Sequence, residues 1–394
     1  MRIINLKNYL IKNYPKLFFF FKELYLFQKN SKVLYNIYNT NHKKTVLLSY
    51  ITSPFYSSNN RVHTNHIEAN IIGEILSELG YNIDVTPFTN KLFVFNKNYE
   101  CVIGFGFPLT EVFKSNMTST KTILYGTGMH IFHQNHISMK RLNDFKKKHN
   151  SYYYKGLRTV EDSWPSQYTL VDCVIALGDK FSKNSYCKTI SEKKVFNVYP
   201  PYYPVQKVNE IIESRNISIA KNNFLWLGGS GEIHKGLDLL IEYFMINPHL
   251  NLTICGDVNI DFIKHYEPDI KFLDNIIFEG FVDISTEKFK NILLNNLFVI
   301  YPSCSEGGSP SVANAIGNGG LIPILSREST VSTSFEIEIK ELNEKGIREA
   351  IDLAVALTKS EINILIQKNL DFIINNCGKG IYKTNMKKII SKFI

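Results

Sequence analysis

The sequence predicts an α/β protein built on two parallel sheets, and three observations lead there. From residue 45 onward, short apolar runs with strand character alternate with helical stretches, the pattern of parallel sheets with crossover helices. Two units in the second half read strand, glycine-rich loop, helix: Phe224-Leu-Trp-Leu-Gly-Gly-Ser-Gly-Glu-Ile-His-Lys-Gly236 and the stretch from Leu297 to Asn314. Between the two sets of strands lies Tyr199-Pro-Pro-Tyr-Tyr-Pro204, stiff and non-helical, which suits an interdomain crossing. At 394 residues the chain is long enough for two domains, each with its own core.

The elements follow in order. Residues 1–44 hold nine cations and one acid, Glu23, so +8 of the net charge of +9 sits there. After Pro15, the residues Leu17, Phe20, Phe21, Leu24 and Phe27 recur at helical spacing. Such a helix fits two roles: its aromatic face packs on the adjoining domain, or it lies on an anionic membrane surface. A first strand is expected at 45–51. The clearest helix, 65–79, opens on a capping box from Asn65 to Glu68, keeps Ile67, Ile71, Ile75 and Leu79 on one face, and stops at Gly80. Strands at 81–88, 100–104, 122–125, 173–177 and 195–199 complete the first set. The second set starts strands at Phe224, Leu252, Ile276, Leu297 and Leu321, with helices between them. The closing stretch, 382–394, is basic and amphipathic. No internal repeat is evident.

Composition narrows the class. The chain is 44% hydrophobic and 13% aromatic, hence globular. Only +1 of the charge remains for residues 45–394, which argues against a basic face for nucleic acid. Six scattered cysteines form no Cys-x-x-Cys, so neither a zinc site nor a disulfide framework is indicated, and a reducing cytosol fits. The longest apolar burst, 17–21, ends at Lys22-Glu23. It is too short for a membrane span and has no small-residue cleavage site after it.

Chemistry concentrates in the two loops. Tyr301-Pro-Ser-Cys-Ser-Glu-Gly-Gly-Ser-Pro310 places one carboxylate, Glu306, beside two glycines at the start of a helix. Backbone N–H groups there suit a phosphate, and the acid suits sugar hydroxyls. Lys235 stands where the upstream loop enters its helix and can neutralise a phosphate. In the first half, the polar loop holding Asn60, Arg61, His63 and Thr64 follows the opening strand and suits acceptor hydroxyls or surface exposure alike. His130 follows the glycine turn Tyr125-Gly-Thr-Gly128 and reads as a cleft residue or a structural histidine. Other chemistries lack their patterns. No Asp-x-Asp, no Gly-x-x-x-x-Gly-Lys-[Ser/Thr], no Gly-x-Ser-x-Gly and no His-Glu-x-x-His occurs. Gly229-Ser-Gly231-Glu-Ile-His234 fails the dinucleotide fingerprint at its third glycine.

The pair of loops resembles the nucleotide-sugar half of the large retaining GT-B glycosyltransferase family (glycosyl transferases group 1). The match rests on Lys235-Gly236, Pro302-Ser303, Glu306-Gly307 and Gly319/Gly320 leading into Leu-Ile-Pro-Ile. It departs from the family at Asn314, where a second Glu is usual, and at Ser230, where an Arg is usual. The resemblance implies a GT-B architecture with two Rossmann-like domains facing across a cleft, here preceded by the N-terminal helical arm. The expected domains are an arm at 1–44, an acceptor domain at 45–203, a linker at 204–222, a nucleotide-sugar domain at 223–375 and a returning C-terminal helix at 376–394.

The implied activity is a metal-independent, retaining transfer of a sugar from a nucleotide-diphosphate sugar. The acceptor would be a glycan or lipid-linked glycan in cell-surface polysaccharide synthesis, handled in the cytoplasm or at the inner face of the membrane through residues 1–44. No cofactor is expected. Alternatives on the same fold are a nucleotide-sugar epimerase and a non-catalytic scaffold. His130, Glu306 and Lys235 are the expected catalytic residues. The expected donor-binding set is Gly229, Ser230, Gly231, Lys235, Asp257, Gly280, Phe281, Ser303, Glu306, Gly307, Gly308, Ser309, Pro310, Ser311 and Asn314. The expected acceptor-binding set is Asn60, Arg61, His63 and Thr64.

Overall fold

Most strands are runs of Val, Ile, Leu and aromatic residues with both faces buried, as a sheet covered by helices on each side requires. The structure, a computed structural model, describes residues 14, 16–17, 31–56 and 64–394. In its first sheet β1 (Lys44–Tyr50), β2 (Tyr81–Pro87), β3 (Cys101–Gly104), β4 (Lys121–Gly126), β5 (Cys173–Leu177) and β6 (Val195–Val198) lie in the order β2-β1-β3-β4-β5-β6. In the second, β7 (Asn223–Leu227), β8 (Asn251–Cys255), β9 (Ile276–Gly280), β10 (Phe298–Tyr301), β11 (Ile322–Ser326) and β12 (Ile337–Ile339) lie in the order β12-β11-β10-β7-β8-β9. Neighbouring strands pair in parallel throughout both sheets. These are two Rossmann-like α/β domains.

The order of each sheet reverses once, between β1 and β3 and between β7 and β10. At such a point the loops leaving adjacent strands diverge and open a crevice at the carboxyl edge. The two glycine-rich loops are the ones that leave β7 and β10.

Local differences from the sequence reading have plain causes. Residues 32–43 are not part of a helical arm. Leu34 pairs antiparallel with Val85, with N–H···O distances of 2.8 Å in both directions, and the Ile37 N–H donates to Ile83 O at 2.9 Å. β2 is an edge strand, and this segment covers its open polar groups. Phe20, Phe21, Leu24 and Phe27 of the proposed amphipathic face lie outside the described residues, as do Asn60, Arg61 and His63.

The helix is described from Thr64 to Glu78, and Asn65 Oδ1 has no hydrogen-bond partner, so the capping box expected from Asn65 to Glu68 is not made. Glu68 shares the buried stripe with Ile71, Ile72 and Ile75, and its Oε2 accepts from Tyr50 Oη at 2.9 Å and Tyr125 Oη at 2.8 Å. Burial pushes its carboxyl up to about 7, with the two hydroxyls pulling the other way. Between the ordinary value near 4.5 and about 7, the folded chain binds more protons at this site than the unfolded chain, so the site's contribution to stability falls as pH rises. Glu68→Gln removes the titration. Its stability relative to wild type should therefore rise by about 3 kcal/mol between pH 4.5 and 7.5, an order-of-magnitude figure. Urea unfolding of both proteins at the two pH values checks this, and a constant difference would contradict it.

Two segments tie the halves together. The last helix, Lys379–Ile390, buries Tyr382, Met386, Ile389 and Ile390 in the first domain's core. Its Lys383 pairs with Glu74 at 2.9 Å and Glu78 at 2.8 Å, and Tyr382 Oη meets Tyr125 Oη at 2.8 Å. Conversely, Leu142 and Phe145 of the helix Ile131–His149, with Leu157 beyond it, pack into the second domain's core. Arg141 on that helix meets Asp238 of the helix Leu237–Met245 at 2.6 Å, both almost fully buried.

Candidate active site

The loop after β7 turns tightly before its helix. The Lys235 N–H donates to Gly231 O at 2.9 Å and the Gly236 N–H to Ile233 O at 3.1 Å. Gly236 has φ +68°, and a Cβ there would sit 2.3 Å from Pro302 O. Only glycine allows the second loop to pass this close, so the Lys235-Gly236 pair is what brings the two loops together. His234 joins them as well. Its Nε2 faces Ser305 O at 2.5 Å and its Nδ1 faces Ser138 Oγ at 2.9 Å. A carbonyl only accepts, so Nε2 carries the proton and Nδ1 accepts from the hydroxyl. Burial holds this ring neutral, with its pKa down to about 4.

The loop after β10 hangs on the segment that follows β11. The Glu306 N–H donates to Glu328 O at 3.0 Å, the Gly308 N–H to Thr330 Oγ1 at 2.7 Å, and Ser309 Oγ to Ser329 O at 2.7 Å. Glu306 Oε1 accepts from Tyr301 Oη at 3.2 Å and Ser303 Oγ at 3.1 Å, while Oε2 lies 3.8 Å from the Arg158 guanidinium. Burial pushes this carboxyl up, but the Lys235 and Arg158 charges, with the Ser303 hydroxyl, outweigh it and hold it below its usual range. Lys235 shows the reverse: burial lowers its ammonium to about 8, with Arg158 adding to the fall and Glu306 opposing it.

Both loops open on one cleft of about 1010 Å³. Its wall includes Gly229, Ser230, Lys235, Asp257, Phe281, Glu306, Ser309, Pro310, Ser311 and Asn314, with Thr64 from the first domain. The helix Pro310–Gly319 presents its N-terminus there, the end that favours anions. The wall also holds residues that the sequence reading passed over, chiefly Arg158, Tyr203, Tyr301 and Asp283. No local pattern marks Arg158, which stands in a long irregular stretch far from the glycine loops.

Other expected residues sit elsewhere. Ser303 is fully buried behind Glu306, and Gly231 and Gly280 do not reach the wall. Gly307 and Gly308 serve the interdomain contact. A Cβ on Gly307 would lie 2.1 Å from Thr127 O, and one on Gly308 would lie 2.4 Å from Pro200 Cδ. His130 turns away from the cleft. It caps its own helix, Nδ1 accepting from the Phe132 N–H at 3.3 Å, and Nε2 meets Thr189 Oγ1 at 3.1 Å. The ring packs on Tyr168 and Tyr186, and burial lowers its pKa to about 4. Asn314 lines the cleft, but its Oδ1 accepts from the Tyr203 N–H at 2.9 Å and its Nδ2 donates to Pro310 O at 2.8 Å. Asn318, one turn on, accepts from the Val205 and Gln206 N–H groups at 2.8 and 2.9 Å. The amide at 314 thus belongs to a grip on the interdomain crossing.

No family model matches the chain, and no curated protein matches it in sequence. Its fold is similar to that of HepE from Anabaena in complex with UDP and glucose, with TM-score 0.57, 11% identity, and coverage of 89% of this chain and 100% of that one. Trehalose-6-phosphate synthase, from work on glycosyl transfer with retention, gives TM-score 0.56 at 9% identity over 89% and 100%. WaaG, a glycosyltransferase involved in lipopolysaccharide biosynthesis, gives 0.52 at 11% over 87% and 99%. At these identities the likeness is one of fold, and that fold is the GT-B architecture of glycosyltransferases.

Proposed function

We propose that this chain is a glycosyltransferase that moves a sugar from a nucleotide-diphosphate sugar to a glycan or lipid-linked glycan in cell-surface polysaccharide synthesis. The observation that carries the reading is that Glu306 and Lys235 stand on one cleft wall, close enough to bias each other's charge, beside a helix N-terminus at the switch point of the second sheet. Bond cleavage places developing negative charge on the departing diphosphate. Lys235 and the helix N-terminus would stabilise that charge, more effectively in a partly dry cleft than in water. Glu306, held ionised, would accept hydrogen bonds from sugar hydroxyls. The fold of HepE, seen with UDP and glucose, supports a sugar nucleotide as donor, and the work on trehalose-6-phosphate synthase supports retention as the stereochemical course.

Among the described residues no helix is long and apolar enough to cross a membrane. The basic residues 1–44 would place the cleft at an anionic lipid surface, where a lipid-linked acceptor lies. The assay is a panel of UDP-, GDP- and ADP-sugars with and without anionic vesicles bearing lipid-linked glycans, read as nucleoside diphosphate release. Release that requires the acceptor, with salt-sensitive pelleting on the vesicles, is the expected result. Release without acceptor would favour hydrolysis or epimerisation, and binding of no nucleotide would favour a scaffold.

A further inference from the structure

A diphosphate brings two or more negative charges to the cleft, and Lys235 alone is poorly placed to meet them. It is buried, its ammonium is weakened to about 8, and it already serves Glu306. Among the described residues at the cleft wall the only other cation is Arg158. It comes from the first half of the chain, on the segment that leaves the helix Ile131–His149 and crosses to the second domain.

The backbone of that segment is pinned from both sides. Gly156 O accepts from the His234 N–H at 2.9 Å, Arg158 O accepts from Gln134 Nε2 at 2.6 Å, and Leu157 between them is buried. The Arg158 side chain then runs over Gly231. A Cβ on residue 231 would lie 2.6 Å from Arg158 Cγ and 2.9 Å from Cδ. Glycine at 231 is therefore a passage for the arginine stem, which accounts for a glycine in the donor loop that does not itself face the cleft. The head is half exposed and its contact with Glu306, at 3.8 Å, is loose. Its planar fork keeps donors for a ligand, in the geometry that suits paired phosphate oxygens.

We infer that Arg158 is the second phosphate-binding cation of the donor site, contributed by the N-terminal half to a nucleotide held by the C-terminal half. This rests on the donor-site reading above. It makes the diphosphate site depend on the interdomain packing, and it sets a preference for diphosphates over monophosphates, because the fork meets the phosphate nearer Glu306.

The test is calorimetric binding of UDP, GDP and ADP, and of the matching monophosphates, to wild type, Arg158→Ala and Arg158→Lys. Arg158→Ala should weaken the preferred diphosphate by about tenfold or more, change the monophosphate by less than about threefold, and keep the thermal midpoint of wild type. Arg158→Lys should fall between, since a point charge replaces the fork. Equal diphosphate affinity in wild type and Arg158→Ala overturns the inference and leaves the donor-site reading standing. Equal loss for mono- and diphosphate also overturns it, as does failure of Arg158→Lys to recover any affinity. Wild type that binds none of the probes overturns the donor-site reading, and this inference with it.

Discussion

Lys235→Ala should lower turnover with the true donor by about 100-fold or more, the scale seen when a preorganised contact to developing charge is lost. Glu306→Ala should cost a similar factor, because the carboxylate would orient the sugar whose bond breaks. The two effects should not add. Each residue sets the ionisation of the other, Glu306 raising the Lys235 ammonium and Lys235 lowering the Glu306 carboxyl, so the double variant should lose less than the product of the singles. Both side chains are buried. Activity must therefore be read beside unfolding curves. Glu306→Gln, which can still accept from Tyr301 and Ser303, separates loss of charge from loss of packing. A wild-type rate in any of these variants, with the fold intact, would remove that residue from the mechanism.

Arg141→Ala should destabilise the protein by about 3–5 kcal/mol, the usual consequence of stripping one partner from a buried ion pair. Arg141 Nη2 and Asp238 Oδ2 are 2.6 Å apart, with side chains 5% and 3% exposed. Arg141 Nε and Asp238 Oδ1 have no hydrogen-bond partner, so the pair is poorly compensated for its desolvation. That predicts an asymmetry. Asp238→Ala should cost as much as Arg141→Ala, whereas Arg141→Met combined with Asp238→Leu should recover most of the loss. Because the pair locks a first-domain helix to a second-domain helix, the single variants should also lose donor affinity through Arg158. Urea unfolding of the four proteins settles the energetic part. Additive losses in the double variant would show that the pair contributes no specific interaction.

The strand runs, the Tyr199–Pro204 crossing and the two glycine loops were legible because each is a contiguous pattern with a local cause. Buried strands demand β-branched and aromatic residues, prolines forbid helix, and Gly236 permits a backbone conformation and a close approach that other residues cannot take. Lys235 and Glu306 stood out for the same reason, each sitting inside a turn whose shape its neighbours dictate. The chain by itself therefore determined an α/β architecture, a pair of facing loops and one acid and one base between them. It could not tell a glycine that faces a ligand from one that faces Thr127, an Asn314 aimed at a ribose from one bonded to Tyr203, or a cleft His130 from one capping its own helix. Nor could it find Arg158, or show that the helix Ile131–His149 ends in the other domain's core. Each of these depends on distances between segments far apart in the chain, and only the packing of the two sheets and their helices sets those distances.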